Sequence, residues 1–417
     1  MIVEISAGKI HGKVNAPPSK SMAHRALICA FLSGQKCSIE NISYSDDINA
    51  TAYALETLGA IITKNPNSIT INGSNAYNEL ITDSAGSCAD AFNGQNERII
   101  QCGESGSTLR FIIPLCLVTG QRFTLCGTSR LFSRSLSVYE TLCKKYGFVF
   151  EQSDQSVTVC GRLKPDTFHV QADISSQFIS GLMFVLPLLA KDSTIMTEGK
   201  IESLPYIKLT QSALKTFSVT ADIFDGSIYI PGSQHYRAVN YTVEGDWSNA
   251  AFFYALNTVG HEIEVTGVDT NSLQGDRVCL EHFSLITKSA PVIDVSDCPD
   301  LAPVLMASMA ANNGGVLTGT RRLKIKESDR GAAMADELSK MGVKVSVHEN
   351  SITVGCGLKK PTQPLTGHND HRIVMALSVL CTVTGGTIVG AQAVNKSMPD
   401  FFERLEGLGA QIRRLED

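Results

Sequence analysis

Acids and cations stand close together at several points of this 417-residue chain. In "RRLKIKESDRGAAMADELSKMG", Lys326, Glu327 and Arg330 gather at a predicted helix start. "GHNDHRIVMALSVL" repeats the theme with Asp370, His371 and Arg372, and "VNKSMPDFFERL" adds Lys396. Asp300 stands just before a long apolar stretch in "DCPDLAPVLMASMA". A carboxylate among such cations is either a helix-end ion pair, worth little at a surface, or a proton-transfer group held in a basic pocket. His368 and His371 could open a metal site, but no third ligand follows at an obvious spacing, so no metal is read from them.

The first half carries cations where a helix dipole disfavours them. Pro17 and Pro18 in "PPSKSMAHRALICA" cannot continue a helix backwards, so one begins near Ser19–Ser21 with Lys20, Ser21 and Arg25 in its first turns. First-turn N–H groups lack partners and attract an anion. Lys20 and Arg25 oppose that dipole unless a multiply charged ligand lies among them; the bland alternative is solvated cations and capping serines. "CGESGSTLRF" leads Gly106 and Arg110 into an apolar helix, "CGTSRLFSRSL" sets Arg130 and Arg134 four apart, and "DISSQFISGLMF" places Ser175, Ser176 and Gln177 at a helix mouth. Repeated in one half, these starts favour phosphate or carboxylate recognition. Neither a G-x-x-x-x-G-K-[ST] loop nor a G-x-G-x-x-G after a strand occurs, which disfavours a nucleotide-binding enzyme.

The elements that must position these groups recur. A helix closing on glycine, an extended segment, a polar turn and a second strand are legible in 55–73, 139–161 and 337–357. A looser copy spans 213–232, and "RLEGLGAQIRRLED" resembles the first half of the pattern. Such units are too widely spaced for solenoid rungs and read as small α/β modules. Three before about residue 235 and three after would make two similar domains, the number this length favours; the first strand could belong to either. The net charge of -5 argues against a general nucleic-acid binder. The longest apolar runs, "FIIPLCLV" and "LMFVLPLLA", are too short to span a bilayer. The 12 cysteines form no C-x-x-C pair, and most, such as Cys29, Cys116, Cys126 and Cys381, sit in apolar runs as reduced thiols would. With no signal-peptide pattern at the N-terminus, the cytoplasm is the expected compartment.

Taken in order, "PPSKSMAHRALI", "GESGSTLRF", "SSQFISGL", "PDLAP", "IKESDR", "NDHRIVMAL" and "NKSMPDFF" resemble the 5-enolpyruvylshikimate-3-phosphate synthase (3-phosphoshikimate 1-carboxyvinyltransferase) family across nearly the whole chain. The resemblance implies an α/β (α+β) fold of two similar domains, each of three βαβαββ units forming an inside-out α/β barrel, with the active site in the interdomain cleft. Residues 19–235 would form one domain, and 1–18 plus 236–417 the other.

The implied reaction moves the enolpyruvyl group of phosphoenolpyruvate to the 5-hydroxyl of shikimate 3-phosphate and releases phosphate. By resemblance, Lys20, Ser21 and Arg25 lie where the two substrates meet. Ser175, Ser176, Gln177, Ser203 and Tyr206 would hold shikimate 3-phosphate with Lys326. Lys20, Gly106, Arg130, Gln177, Arg330, Arg372 and Lys396 would hold phosphoenolpyruvate. Asp300 would take the hydroxyl proton and Glu327 would protonate the methylene carbon. No metal or other cofactor, nucleic acid or membrane partner is expected, and the chain is read as a monomer. Glu104 and Ser107 depart from the residues usual in the family, and Arg322 stands where asparagine can contact shikimate 3-phosphate. The sister UDP-N-acetylglucosamine enolpyruvyl transferases typically have Lys–Asn where this chain has Lys20–Ser21, and a loop cysteine where it reads "GTSRLFSRS". A non-catalytic anion binder on the same fold would have no need of Asp300 and Glu327 together.

Overall fold

The computed structural model describes residues 1–73, 77, 81, 98–171, 174–199 and 201–415. The chain divides into two compact units, one of residues 20–243 and one of residues 1–19 with 244–417. Each has its own hydrophobic core.

The repeated pattern explains the sheets. In the unit 20–243, the helix Ser137–Tyr146 ends at Gly147, whose φ of 69° is left-handed, and the hairpin Val149–Gln152/Ser156–Cys160 follows. A residue without Cβ turns the chain there at no steric cost. The looser copy has Ser218 at this place, which takes the same turn with φ 66°. Each hairpin joins a pair of parallel strands. Thus Arg98–Gln101 and Arg122–Cys126 pair in parallel, and Arg122–Cys126 pairs antiparallel with Ser156–Cys160. Sheets of the same strand order form around Ser193–Glu198 and around Lys36–Glu40.

In the other unit, Val292–Asp294, Gly315–Thr318, Val345–Val347 and Ser351–Val354 form such a sheet. The N-terminal strand Ile2–Ile5 lies between Gly386–Val389 and Ile412–Leu415, antiparallel to both. It supplies the strand that the half-copy at the C-terminus lacks. The sixth sheet, His11–Asn15 with Glu262–Thr266, has two strands among the described residues, and no copy of the hairpin motif is read between Thr266 and the copy at 337–357.

Each unit contains three helices that are apolar almost all round and therefore buried. These are Lys20–Leu32, Gly106–Leu117 and Ser176–Val185 in one, and Trp247–Thr258, Ala302–Ala311 and His371–Thr384 in the other. More amphipathic helices, such as Leu204–Thr216 and Arg330–Lys340, pack against them. A buried helix must find partners for its first N–H groups, so polar residues collect at its start. Those starts are where the motifs lie. No helix among the described residues is long and apolar enough to cross a membrane. Cys29, Cys116, Cys126 and Cys381 are free thiols, as the apolar runs that hold them suggest.

Candidate active site

In the unit 20–243, the cations meet at helix starts. Lys20 opens its helix and pairs with Asp47 at 2.6 Å, both side chains largely buried. The Asp47 carbonyl accepts from Thr108 Oγ1, near the start of Gly106–Leu117. Ser105 caps that helix by accepting from Thr108 N, so capping does not fall to Glu104. A buried chain of Thr108, Thr51 and His24, with 2.7 Å steps, braces the same turn. Burial first, then Lys20 and Arg25, push the His24 pKa down, leaving a neutral imidazole for this structural contact.

Gly106 brings two guanidinium groups close to the helix start. A Cβ built there would lie 2.6 Å from Arg134 NH1 and 3.0 Å from Arg110 NH1, so only glycine leaves both in place. Arg110 donates to Gln177 Oε1 at 3.1 Å and to the Ser135 carbonyl, while Gln177 Nε2 donates to Ser107. Ser175 caps the next buried helix, accepting from Gln177 N, and Ser176 is buried beside it. Arg25 is buried and donates to Thr210 Oγ1, the Ser21 carbonyl and the Tyr206 carbonyl. Burial lowers its pKa to about 10. Ser203, at the start of Leu204–Thr216, holds a left-handed φ of 60°. Arg25 thus ties Ser21 to Tyr206, Gln177 is tied to Arg110 and Ser107 beside Gly106, and Lys20 reaches Asp47, whose carbonyl meets the same turn at Thr108. Arg130 is exposed on the short helix Ser129–Phe132, whereas Arg134 is buried.

The other unit centres on Arg330, 1 % exposed at the start of its helix. It donates to Asp300 Oδ1 at 2.7 Å, Glu327 Oε2 at 2.6 Å and Asp370 Oδ2 at 2.9 Å. Asp300 also accepts from Arg372 at 3.0 Å and Lys326 at 3.3 Å. Burial alone would raise the Asp300 pKa, but Arg372, Lys326 and Arg330 outweigh it and hold the carboxyl well below its ordinary range. For Lys326, burial is the largest influence and lowers its pKa despite the pull of Asp300. Asp370 caps His371–Thr384 by accepting from Arg372 N and also accepts from Ser328. Lys396 donates to the Asn369 carbonyl at 2.5 Å. Arg322 is buried and donates to the Ser296 carbonyl.

Comparison with known proteins decides the family. The family model for EPSP synthase (3-phosphoshikimate 1-carboxyvinyltransferase) matches residues 5–405. The chain belongs to the EPSP synthase family. A 3-phosphoshikimate 1-carboxyvinyltransferase of Clostridium kluyveri is 38% identical, covering 98% of each chain. One from Clostridium perfringens is 36% identical, covering 99% of each. Among solved structures, the EPSP synthase from Acinetobacter baumannii superposes with a TM-score of 0.76 at 20% identity and covers 100% of both chains. The enolpyruvyl transferase NikO from Streptomyces tendae reaches 0.74 at 16% identity, covering 99% of this chain and 98% of its own. At those identities the two structures bear on the fold, which is that of the EPSP synthases.

Set in this family, three side chains stand out that the sequence alone did not single out as site residues. Asp47 neutralises Lys20 from 27 positions away, a contact no local pattern announces. Arg134 lies beside Gly106, and its spacing of four from Arg130 left either as the inward one. Asp276 is buried, with Oδ2 accepting from Ser248 and Oδ1 without a hydrogen-bond partner among the described residues. Burial first, then the charge of Asp300, raise its pKa to about 7. The "QGD" it belongs to offered only an acid beside glycine.

Proposed function

We propose that this chain transfers the enolpyruvyl group of phosphoenolpyruvate to the 5-hydroxyl of shikimate 3-phosphate and releases phosphate, by addition followed by elimination. The observation that carries the reading is the pair of carboxylates on one guanidinium. Arg330 holds Asp300 and Glu327 at once, at 2.7 and 2.6 Å, with Lys326 and Arg372 also on Asp300. A simple anion trap gains nothing from acids in that position, since each cancels a cation. An acid and a base are what the reaction requires.

In the addition step, the 5-oxygen bonds to C2 of phosphoenolpyruvate. The hydroxyl proton passes to Asp300, and Glu327 protonates C3. In the elimination step, the C2–O bond to phosphate breaks, C3 loses a proton and phosphate leaves. Asp300 is a weak base while three cations hold it. The donor's phosphate and carboxylate compete for Arg330, Arg372 and Lys396, and the acceptor's phosphate for Lys326. Substrate binding therefore draws cations off Asp300 and raises its basicity at the moment it is needed. In the unit 20–243, Lys20, Gly106, Arg130 and Gln177 serve the donor, with the buried Arg134 beside Gly106. Ser21, Arg25, Ser175, Ser176, Ser203 and Tyr206 serve shikimate 3-phosphate, Arg25 chiefly by holding Ser21 and Tyr206.

The test is phosphate release from phosphoenolpyruvate by the purified protein. Release that requires shikimate 3-phosphate and is not supported by UDP-N-acetylglucosamine is the expected result. Comparable turnover with the nucleotide sugar would move the chain to the sister activity, and release with neither acceptor would end the proposal.

A further inference from the structure

Residues 367–370 run in a loop with two consecutive non-glycine residues in the left-handed region, His368 at φ 48° and Asn369 at φ 53°. Side chains rarely adopt that backbone, and it persists only where the surroundings hold it. The loop has two outputs. Its Asn369 carbonyl receives Lys396 at 2.5 Å, and its Asp370 carboxylate receives Arg330 at 2.9 Å.

What holds the loop is Glu337, a fully buried carboxylate on the same helix as Arg330. Its Oε1 meets His368 Nε2 at 2.6 Å and accepts from Lys340 at 2.7 Å, and its Oε2 accepts from Thr366 N at 2.9 Å. Arg330 and Glu337 are seven residues apart, two turns along one helix face. That face therefore grips the segment 366–370 at two places, about 10 Å apart along the axis. Asp336, Glu337 and His368 each bring a possible metal-ligand atom within 4.8 Å of the others. Lys340, however, already donates to Glu337 and pairs with Asp336 at 3.2 Å, so an ammonium supplies the positive charge there. The cluster reads as a clamp.

We propose that Glu337 and His368 are positioning residues for the donor-binding cations, setting the loop that aims Lys396 and Arg330. Neither touches a reacting group. The inference rests on the assignment of those two cations to the donor, made above, and its test separates the two. His368→Ala removes one arm of the clamp and leaves Glu337 its contacts to Lys340 and Thr366. The KM for phosphoenolpyruvate is expected to rise on the order of tenfold or more, as for small misplacements of binding groups. The KM for shikimate 3-phosphate and the melting temperature stay close to wild type. His368→Gln, whose amide can donate to Glu337, restores the donor constant to within about threefold, a fraction of that change.

Binding of inorganic phosphate, followed by calorimetry, reads the same positions without turnover. Its affinity falls in His368→Ala, and the substitution adds little in a Lys396→Met background. If the wild type lacks the proposed activity but phosphate binding behaves this way, the clamp stands and only the reaction is wrong. Unchanged donor KM and phosphate affinity in folded His368→Ala would overturn the clamp, as would equal changes in both substrate constants.

Discussion

Replacing Asp276 by asparagine changes how stability responds to pH, and the structure fixes the sign. The folded carboxyl titrates near 7, against an ordinary value of 3.8, because burial and then the Asp300 charge disfavour its ionised form. Below about pH 4 both folded and unfolded chains hold this proton. Between about 4 and 7 the folded form keeps it while the unfolded form releases it, so each pH unit of rise costs about 1.4 kcal/mol. Above about 7 both forms are ionised and the accumulated cost, about 4 kcal/mol, is constant. Asparagine carries no such proton and can still bond to Ser248. The variant is therefore expected to gain stability relative to wild type steadily from pH 4.5 to 7, then hold a constant lead. Denaturant midpoints can be followed by the chain's single tryptophan, Trp247, buried in the same unit next to Ser248. A stability difference between variant and wild type that does not change over this range would refute the buried, proton-holding Asp276.

Two further outcomes follow from named contacts. Gly106→Ala places a methyl group 2.6 Å from Arg134 NH1, so the guanidinium must shift. The donor KM should rise about tenfold with the shikimate 3-phosphate constant little changed, and an unchanged donor constant would remove Gly106 from the donor site. Glu327→Gln keeps an acceptor for Arg330 but loses the acid, so turnover should fall by a factor of about 10²–10⁴ while shikimate 3-phosphate binding holds. Near-normal turnover would leave Glu327 a salt-bridge partner only.

Much of this was legible because the chemistry stands at helix starts, where local sequence is informative. Lys20, Gly106, Gln177, Asp300, Arg330 and Arg372 all lie within two residues of where a helix begins. The five copies of the helix-and-hairpin motif correspond to the five four-stranded sheets. Where no copy was read, after Thr266, the sheet has only two described strands. What the sequence hid was direction and distance. It could not say that Arg134 is buried and Arg130 exposed, since both occupy the same Gly/Ser-rich stretch. Nor could it pair Lys20 with Asp47, or Glu337 with His368, because those contacts depend on how separate elements pack. Nor could it show that three of the Arg25 N–H groups are bonded within the protein, to Thr210, Ser21 and Tyr206.

Addition followed by elimination, with Glu327 as the acid at C3, is tested most directly by turnover in D₂O. Protonation of the methylene carbon from a solvent-exchanged acid makes a methyl group that carries deuterium, and elimination then retains part of it. The account predicts deuterium in the product's methylene group, and in recovered phosphoenolpyruvate if the addition reverses. In Glu327→Gln that incorporation should be lost or slowed in step with turnover. A wild-type product free of deuterium after full turnover would contradict the addition step and with it the role of Glu327.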